Sequence, residues 1–276
     1  MEFEKTQWRV IITPPSQGDW NMALDEALLE SVGNHHSSPV LRLYGWNPPC
    51  LSLGYAQHVG DVDMEKLEAK GWGLVRRPTG GRAVLHADEL TYSVIAPLDE
   101  PRVSGSIIES YRRLSTALLQ ALQLLNLPAQ ADKEYDLPVG SAKNGAVCFE
   151  VPSNYEITIN GKKLIGSAQA RKHHGMLQHG SLPLFGDLTR ILQVLKFTDA
   201  ASRSAASSRL LTHATTAESI LGYVIPREAA ITAFQQAFST TLNIDFISAQ
   251  PSQQELSRVE ELIKQKFSNP QWLQHV

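Results

Sequence analysis

Cys148 and Lys163 are the first residues in this chain whose types and spacing could carry chemistry. A thiol becomes a nucleophile as its thiolate, and a nearby ammonium lowers its pKa from about 8.5. The same lysine, once deprotonated, can act as a base toward an incoming amine. Spacing alone leaves the meeting of the two side chains open, because a buried cysteine and a solvated strand lysine would read the same way. A second group is the run Arg76-Arg77-Pro78-Thr79-Gly80-Gly81-Arg82-Ala83-Val84-Leu85-His86. Its adjacent glycines let bare backbone N–H groups face a ligand, and its arginines offer fixed donors to a carboxylate, carbonyl or phosphate. A tight hairpin would use the same two glycines; three arginines and a histidine around them favour binding. The Gly-Lys-Ser/Thr end of a phosphate-binding P-loop is missing.

Other chemistries lack their residues. His86 and His179 stand near strand ends with no carboxylate or cysteine at ligand spacing. His173 and His174, read as adjacent strand residues, would point to opposite sides, so no metal site is expected. There is no Gly-x-Ser-x-Gly elbow and no GxGxxG fingerprint. Cys50, in Pro48-Pro49-Cys50-Leu51-Ser52-Leu53-Gly54, reads as a buried strand residue. Two cysteines without a CxxC pair make neither a disulfide scaffold nor a thiolate zinc site.

These residues need elements to hold them. Strands are expected at 10–12, 40–44, 50–53, 74–77, 82–86, 90–95 and 178–184, and helices at 21–32, 63–70 and 188–195. The strongest helix follows Ser106, where Ser106 and Glu109 make a capping box and Ile107, Tyr111, Leu114, Leu118, Leu122 and Leu125 keep helical spacing. Residues 129–147 read as a long loop of the kind that often forms a lid. Asn160-Gly161 marks a two-residue hairpin turn within 155–169. It pairs Thr158 with Lys163 and Ile157 with Leu164, and puts Lys163 on the more polar face near Glu156 and Thr158. Residues 199–219, rich in Ala, Ser and Thr, read as a mobile connection, and helices at 226–238 and 252–267 close the chain. No domain-sized linker interrupts it, so one domain over 1–276 is expected.

Composition narrows the class. Across 276 residues, 28 acidic side chains outnumber 25 basic ones, which argues against a phosphate-tracking nucleic-acid binder. At 42% hydrophobic and 19% charged the chain is too apolar for disorder. With no long apolar run and no signal-peptide core near Met1, a cytoplasmic protein without membrane contact is expected.

Four motifs occur in order: Asn21-Met22-Ala23-Leu24-Asp25-Glu26-Ala27, the Arg76–His86 run, Gly161-Lys162-Lys163-Leu164-Ile165-Gly166-Ser167-Ala168-Gln169, and His179-Gly180-Ser181-Leu182. Together they resemble the biotin/lipoate–protein ligase catalytic fold over roughly residues 8 to 240. That resemblance implies an α+β domain with mixed, largely antiparallel sheets flanked by helices. Val147-Cys148-Phe149-Glu150-Val151-Pro152-Ser153-Asn154-Tyr155-Glu156 further resembles the octanoyl-[acyl-carrier-protein]:protein N-octanoyltransferases of the lipoate–protein ligase A-like branch. The resemblance implies that Cys148 takes the octanoyl group as a thioester from acyl carrier protein. A lysine of a lipoyl domain or of glycine-cleavage H protein then receives it, with Lys163 assisting. It also implies substrate contacts by Arg76, Arg77, Gly80, Gly81, His86, Gly166, Ser167, Ala168 and His179, no cofactor, and a monomer. Arg76, Arg77, Arg82, Lys162 and Arg171 would form a basic docking patch for the carrier. Arg82 replaces a third glycine of the family's ligases, and their His-Asp pair reads His86-Ala87 here; both weaken an ATP-dependent ligase. That ligase, an amidotransferase between lipoyl domains, and a non-catalytic carrier-binding protein are the alternatives.

Overall fold

The computed structural model describes residues 3–131, 156–274 and 276. Its large sheet is built from β1 (Thr6–Ile12), β2 (Val40–Tyr44), β6 (Glu89–Pro97), β7 (Gln130–Ala131), β8 (Ile157–Ile159), β9 (Lys162–Lys172), β10 (Gly175–Pro183) and β11 (Ile244–Ser248). They lie in the order β11-β1-β2-β6-β10-β9-β8-β7. β1 is parallel to both of its neighbours, and the other pairs are antiparallel. A small sheet centres β3 (Cys50–Leu53) between parallel β4 (Gly73–Arg76) and antiparallel β5 (Val84–His86). This is the mixed, largely antiparallel α+β arrangement expected.

Helices cover both faces of the large sheet. On one, α3 (Ile107–Leu124) and α6 (Arg227–Leu242) bury Leu114, Leu118, Phe234 and Phe238 against Tyr92 and Val94. On the other, α1 (Gly18–Gly33) and α7 (Gln253–Leu262) pack through Met22, Leu28 and Val259. The small sheet rests on a 3-10 turn (Leu188–Gln193) and on α4 (Ala200–His213), through Leu53, Ile191 and Leu210. Short helices α2 (Met64–Ala69), α5 (Ala217–Leu221) and α8 (Pro270–Leu273) complete the chain. Capping boxes start α3 at Ser106 and α7 at Ser252, each satisfying two amide donors reciprocally. Among the described residues no helix is long and apolar enough to cross a membrane.

Several expectations are corrected. Residues 199–219 are largely helical: Asp199 caps α4 and Thr216 caps α5, and the few apolar residues suffice because only Ala206 and Leu210 of α4 need burial. β11 is a further strand beyond those expected; of its apolar residues Ile244, Phe246 and Ile247 only Ile244 is fully buried, and pairing with β1 defines it. His173 and His174 are the two turn residues between β9 and β10, both at positive φ, rather than strand residues. The Asn160-Gly161 turn forms, with Thr158 opposite Lys163, but a bulge then sets Ile157 opposite Ile165 instead of Leu164. The bulge lets both Leu164 and Ile165 enter the core. Ile107 does not join the buried stripe of α3; it is 52% exposed.

Candidate active site

A cavity of about 480 Å³ opens between the small sheet, the β9–β10 hairpin and the first turns of α3. Its walls include Arg77, Gly80, Gly81 and His86 on one side, and Lys163, Gly166, Ser167, Ala168 and His179 on the other. Ten of the expected site residues have described positions, and these nine share one cavity. The tenth, Arg76, does not reach it. Cys148 and the proposed lid beyond Ala131 lie outside the described residues.

Arg76 and Arg77 divide their labour by strand alternation. Arg76 is buried and donates to the carbonyls of Gly54, Tyr55, Gln57 and Leu273, while the Trp272 indole donates back to the Arg76 carbonyl. It ties β4 to α8 and cannot serve as a surface docking residue. Arg77, also buried, donates to the carbonyls of Gly80, at 2.9 Å, and Arg82, at 2.7 Å. It therefore shapes the glycine loop from behind. That loop lies directly on β3: a Cβ at Gly54 would stand 1.9 Å from the Gly81 carbonyl oxygen. Arg171 clasps the carbonyls of Gly105 and Val103, and Lys162 that of Leu211. Buried as they are, Arg76 and Arg77 cannot belong to a surface patch with the other three basic side chains.

Both cavity histidines have carboxylate partners, Glu89 three residues after His86 and Asp25 on the distant helix α1 for His179. His86 stacks on Trp46, 4.1 Å between centroids, with Nε2 2.8 Å from Ser52 Oγ and Nδ1 2.6 Å from Glu89 Oε1. Arg77 donates to Ser52 Oγ at 3.1 Å, and a guanidinium can only donate. The Glu89 carboxylate only accepts, so His86 Nδ1–H donates to it, and in the neutral imidazole Nε2 accepts from the Ser52 hydroxyl. Thr91 donates to the same carboxylate oxygen and accepts from the Trp46 indole. With both ring nitrogens engaged, His86 builds the wall and has no nitrogen left to exchange a proton with a ligand.

His179 Nε2 lies 2.6 Å from Thr79 Oγ1, and its Nδ1 3.5 Å from Asp25 Oδ2. Asp25 also accepts from Arg42 at 2.7 Å and from Ser93 and Tyr44 at 3.0 Å each. Burial alone would raise the Asp25 carboxyl, yet the Arg42 guanidinium and His179 hold it below the usual carboxylate range. Burial pushes the His179 imidazole down, against the pull of Asp25. A neutral His179 can accept from Thr79, which anchors the residue next to Gly80. Asp25 belongs to the Asn21–Ala27 motif; Asn21 one turn earlier accepts from the same Arg42 at 2.6 Å. The motif's i, i+4 polar pair, set among the apolar Met22, Leu24, Leu28 and Leu29, was the available signal.

Lys163 is buried and donates to Glu156 Oε1 at 2.6 Å. It is not a solvated strand lysine. Its strand is held by Thr215, whose amide donates to the Lys163 carbonyl. Further along β9, Ser167 Oγ lies 2.7 Å from the Tyr92 hydroxyl, which accepts from Gln178 at 3.2 Å. Burial pushes the Tyr92 phenol up to about 12, so it stays protonated at neutral pH. Tyr111 and the exposed Ile107 and Ile108 line the cavity mouth. Elsewhere, ligand atoms of Glu26, Glu30 and His173 lie within 4.8 Å of one another, but Lys266 and Arg258 already neutralise the two carboxylates.

This fold and cavity place the chain in a family. A family model described as the lipoyl protein ligase A/B catalytic domain matches residues 17–239, and the chain belongs to that family. Its sequence relatives point to a branch: it is 38% identical over 270 residues to the octanoyltransferase LipM of Carboxydothermus hydrogenoformans, covering 96% of this chain and 98% of that one. The corresponding figures for the octanoyltransferase LipM of Bacillus subtilis are 36% over 278 residues, 98% and 99%. Among solved structures, an archaeal lipoylation system, a bi-partite lipoate protein ligase and its E2 lipoyl domain from Thermoplasma acidophilum, matches with a TM-score of 0.79. The two are 25% identical, over 98% of this chain and 96% of that one.

Proposed function

We propose that this protein is an acyltransferase that moves an octanoyl group to the ε-amine of a lysine in lipoate biosynthesis, through a thioester on Cys148. The observation that carries the reading is Lys163, buried in the wall of a cavity within the 300–1,000 Å³ range of small-ligand sites. In the first step the Cys148 thiolate attacks the carbonyl carbon of an octanoyl thioester carried by acyl carrier protein. The carrier's C–S bond breaks, and its thiolate leaves and takes up a proton. In the second step the amine of a lipoyl domain or glycine-cleavage H protein attacks the enzyme thioester, an amide forms, and Cys148 leaves as thiolate. The amine's proton passes to a base, for which the Lys163–Glu156 pair is placed. The Lys163 ammonium stabilises the Cys148 thiolate in the first step, and as the free amine it serves as base in the second. One domain over 1–276 acting as a monomer is part of the proposal, and the chemistry calls for neither metal nor nucleotide.

The test uses purified protein, octanoyl-carrier thioester and no ATP. Intact mass spectrometry should show one added octanoyl group that hydroxylamine removes. An adduct that persists unchanged in Cys148→Ala overturns the thioester. Transfer that needs free acid plus ATP selects the ligase, and octanoyl–H protein as the preferred donor selects the amidotransferase.

A further inference from the structure

Five side chains beside the cavity form a hydrogen-bond chain whose direction is fixed at one end. Arg171 Nε donates to Gln169 Oε1 at 3.1 Å. A guanidinium has no acceptor, so that atom of Gln169 is its carbonyl oxygen and the amide nitrogen faces the other way. Gln169 Nε2 then donates to Gln178 Oε1 at 3.1 Å, which orients the Gln178 amide in turn. Gln178 Nε2 donates to the Tyr92 hydroxyl at 3.2 Å. Tyr92 is fully buried, and the only other partner of its hydroxyl among the described residues is Ser167 Oγ, 2.7 Å away. Its proton therefore goes to Ser167, since a buried donor without an acceptor is costly. Ser167 accepts it, and its own O–H has no acceptor among the described residues. Ser167 lines the cavity.

A second observation shows that the chain needs a special local structure. Tyr92 is on β6 and Ser167 on β9, two strands that do not pair; β10 lies between them, with Gly180 opposite both residues. A Cβ at Gly180 would lie 2.7 Å from Ser167 Oγ and 2.7 Å from Tyr92 Cε1. The missing side chain is the gap through which the phenol and the serine meet across an intervening strand.

We propose that the Ser167 hydroxyl is a further catalytic group, donating a hydrogen bond to the carbonyl oxygen of the bound acyl group. This rests on the octanoyl-transfer reading above. An octanoyl chain carries one hydrogen-bond acceptor, the carbonyl oxygen, and Ser167 offers the matching donor in the wall that also holds Lys163. When a thiolate or amine attacks the carbonyl carbon, the C=O electron pair moves to oxygen, and the oxyanion accepts from Ser167 more strongly than the ground-state carbonyl does. No proton leaves Ser167; the oxyanion collapses and expels the leaving group. Tyr92, Gln178, Gln169 and Arg171 are positioning residues that keep the serine proton aimed into the cavity.

Two measurements on the full chain test this. Octanoyl transfer is followed for Ser167→Ala, Ser167→Thr and Tyr92→Phe. The expected result is a fall in kcat of about 100-fold for Ser167→Ala with KM changed only a few-fold, recovery in Ser167→Thr, and an intermediate Tyr92→Phe. In parallel, the carbonyl stretch of a bound, non-cleavable octanoyl-pantetheine amide, carbon-13 labelled at the carbonyl, is read by infrared difference spectroscopy. The band should lie at lower frequency in the parent and Ser167→Thr than in Ser167→Ala. An unchanged kcat in Ser167→Ala, a Ser167→Thr as impaired as Ser167→Ala, or a band insensitive to Ser167 overturns the proposal. A Ser167-dependent band in a parent protein that transfers no octanoyl group keeps this hydrogen bond and removes the transfer reading instead.

Discussion

Arg77 and Arg171 each head a chain of side-chain hydrogen bonds beside the same cavity, and the two chains end differently. From Arg77 the donors run through Ser52 and His86 to the Glu89 carboxylate, where Thr91 also donates. A carboxylate only accepts, so that chain is closed, and His86 is fixed as wall despite its catalytic residue type. From Arg171 the donors run through two amides and a phenol to Ser167, and the last proton faces the cavity. The terminal group decides whether a buried polar chain holds the site together or acts on its ligand. Residue type does not, since the closed chain contains the histidine and the open one ends in a plain serine.

Replacing Lys163 by Ala should stop chemistry while leaving both chains intact. The expected loss is about 1,000-fold in the rate of octanoyl transfer, measured in single turnover, and a loss under tenfold would move the proton transfer to another group. Ser52→Ala cuts the closed chain and leaves His86 Nε2 without its partner in a buried place, while Arg77 keeps the Ser52 carbonyl. It should lower unfolding stability by about 1–3 kcal/mol, read from the denaturant midpoint, with kcat moving less than in Tyr92→Phe. If kcat falls further in Ser52→Ala than in Tyr92→Phe, the division between the chains is wrong. Gly180→Ala should separate Tyr92 from Ser167 and lower kcat by about tenfold, one-tenth of what a direct donor contributes.

The smallest effect is a pH dependence. Because the folded His179 titrates below its ordinary 6.5, the unfolded chain binds a proton in the interval that the folded one excludes. Stability should therefore decline as pH drops through 6.5, and His179→Gln should flatten that stretch of the midpoint–pH curve. Asp25 acts in a lower window: its contribution is complete above 3.8 and is lost as pH falls further.

Much of the local structure was legible in the chain. Ser106 with Glu109 and Ser252 with Glu255 fixed two helix starts, and Asn160-Gly161 fixed a turn, because each acts over four residues or fewer. The motif order identified the family, and it located the glycine loop and the lysine strand on one cavity. Less legible were features whose signal is weak or distant. Helix α4 is polar enough to pass for a linker, β11 exists through pairing with β1, and Ile107 continues a helical stripe but sits at the cavity mouth. Arg76 and Arg77 are neighbours of one residue type, and only the pleat and the packing of α8 separate their roles.

The sequence by itself determined which residues were present to do chemistry, the caps and the turn, and the family to which they belong. Tertiary structure alone decided what each side chain could donate or accept. The Ser52–His86 bond spans 34 positions, the Tyr92–Ser167 bond 75 and the Gln178–Tyr92 bond 86. Hydrogen-bond direction is a property of the whole chain of partners, fixed at a guanidinium that only donates or a carboxylate that only accepts. The ends of each chain are near in sequence, Arg77 with Glu89 and Arg171 with Ser167, but the partners that join them, Ser52 in one and Tyr92 in the other, come from distant strands that only the tertiary fold brings in.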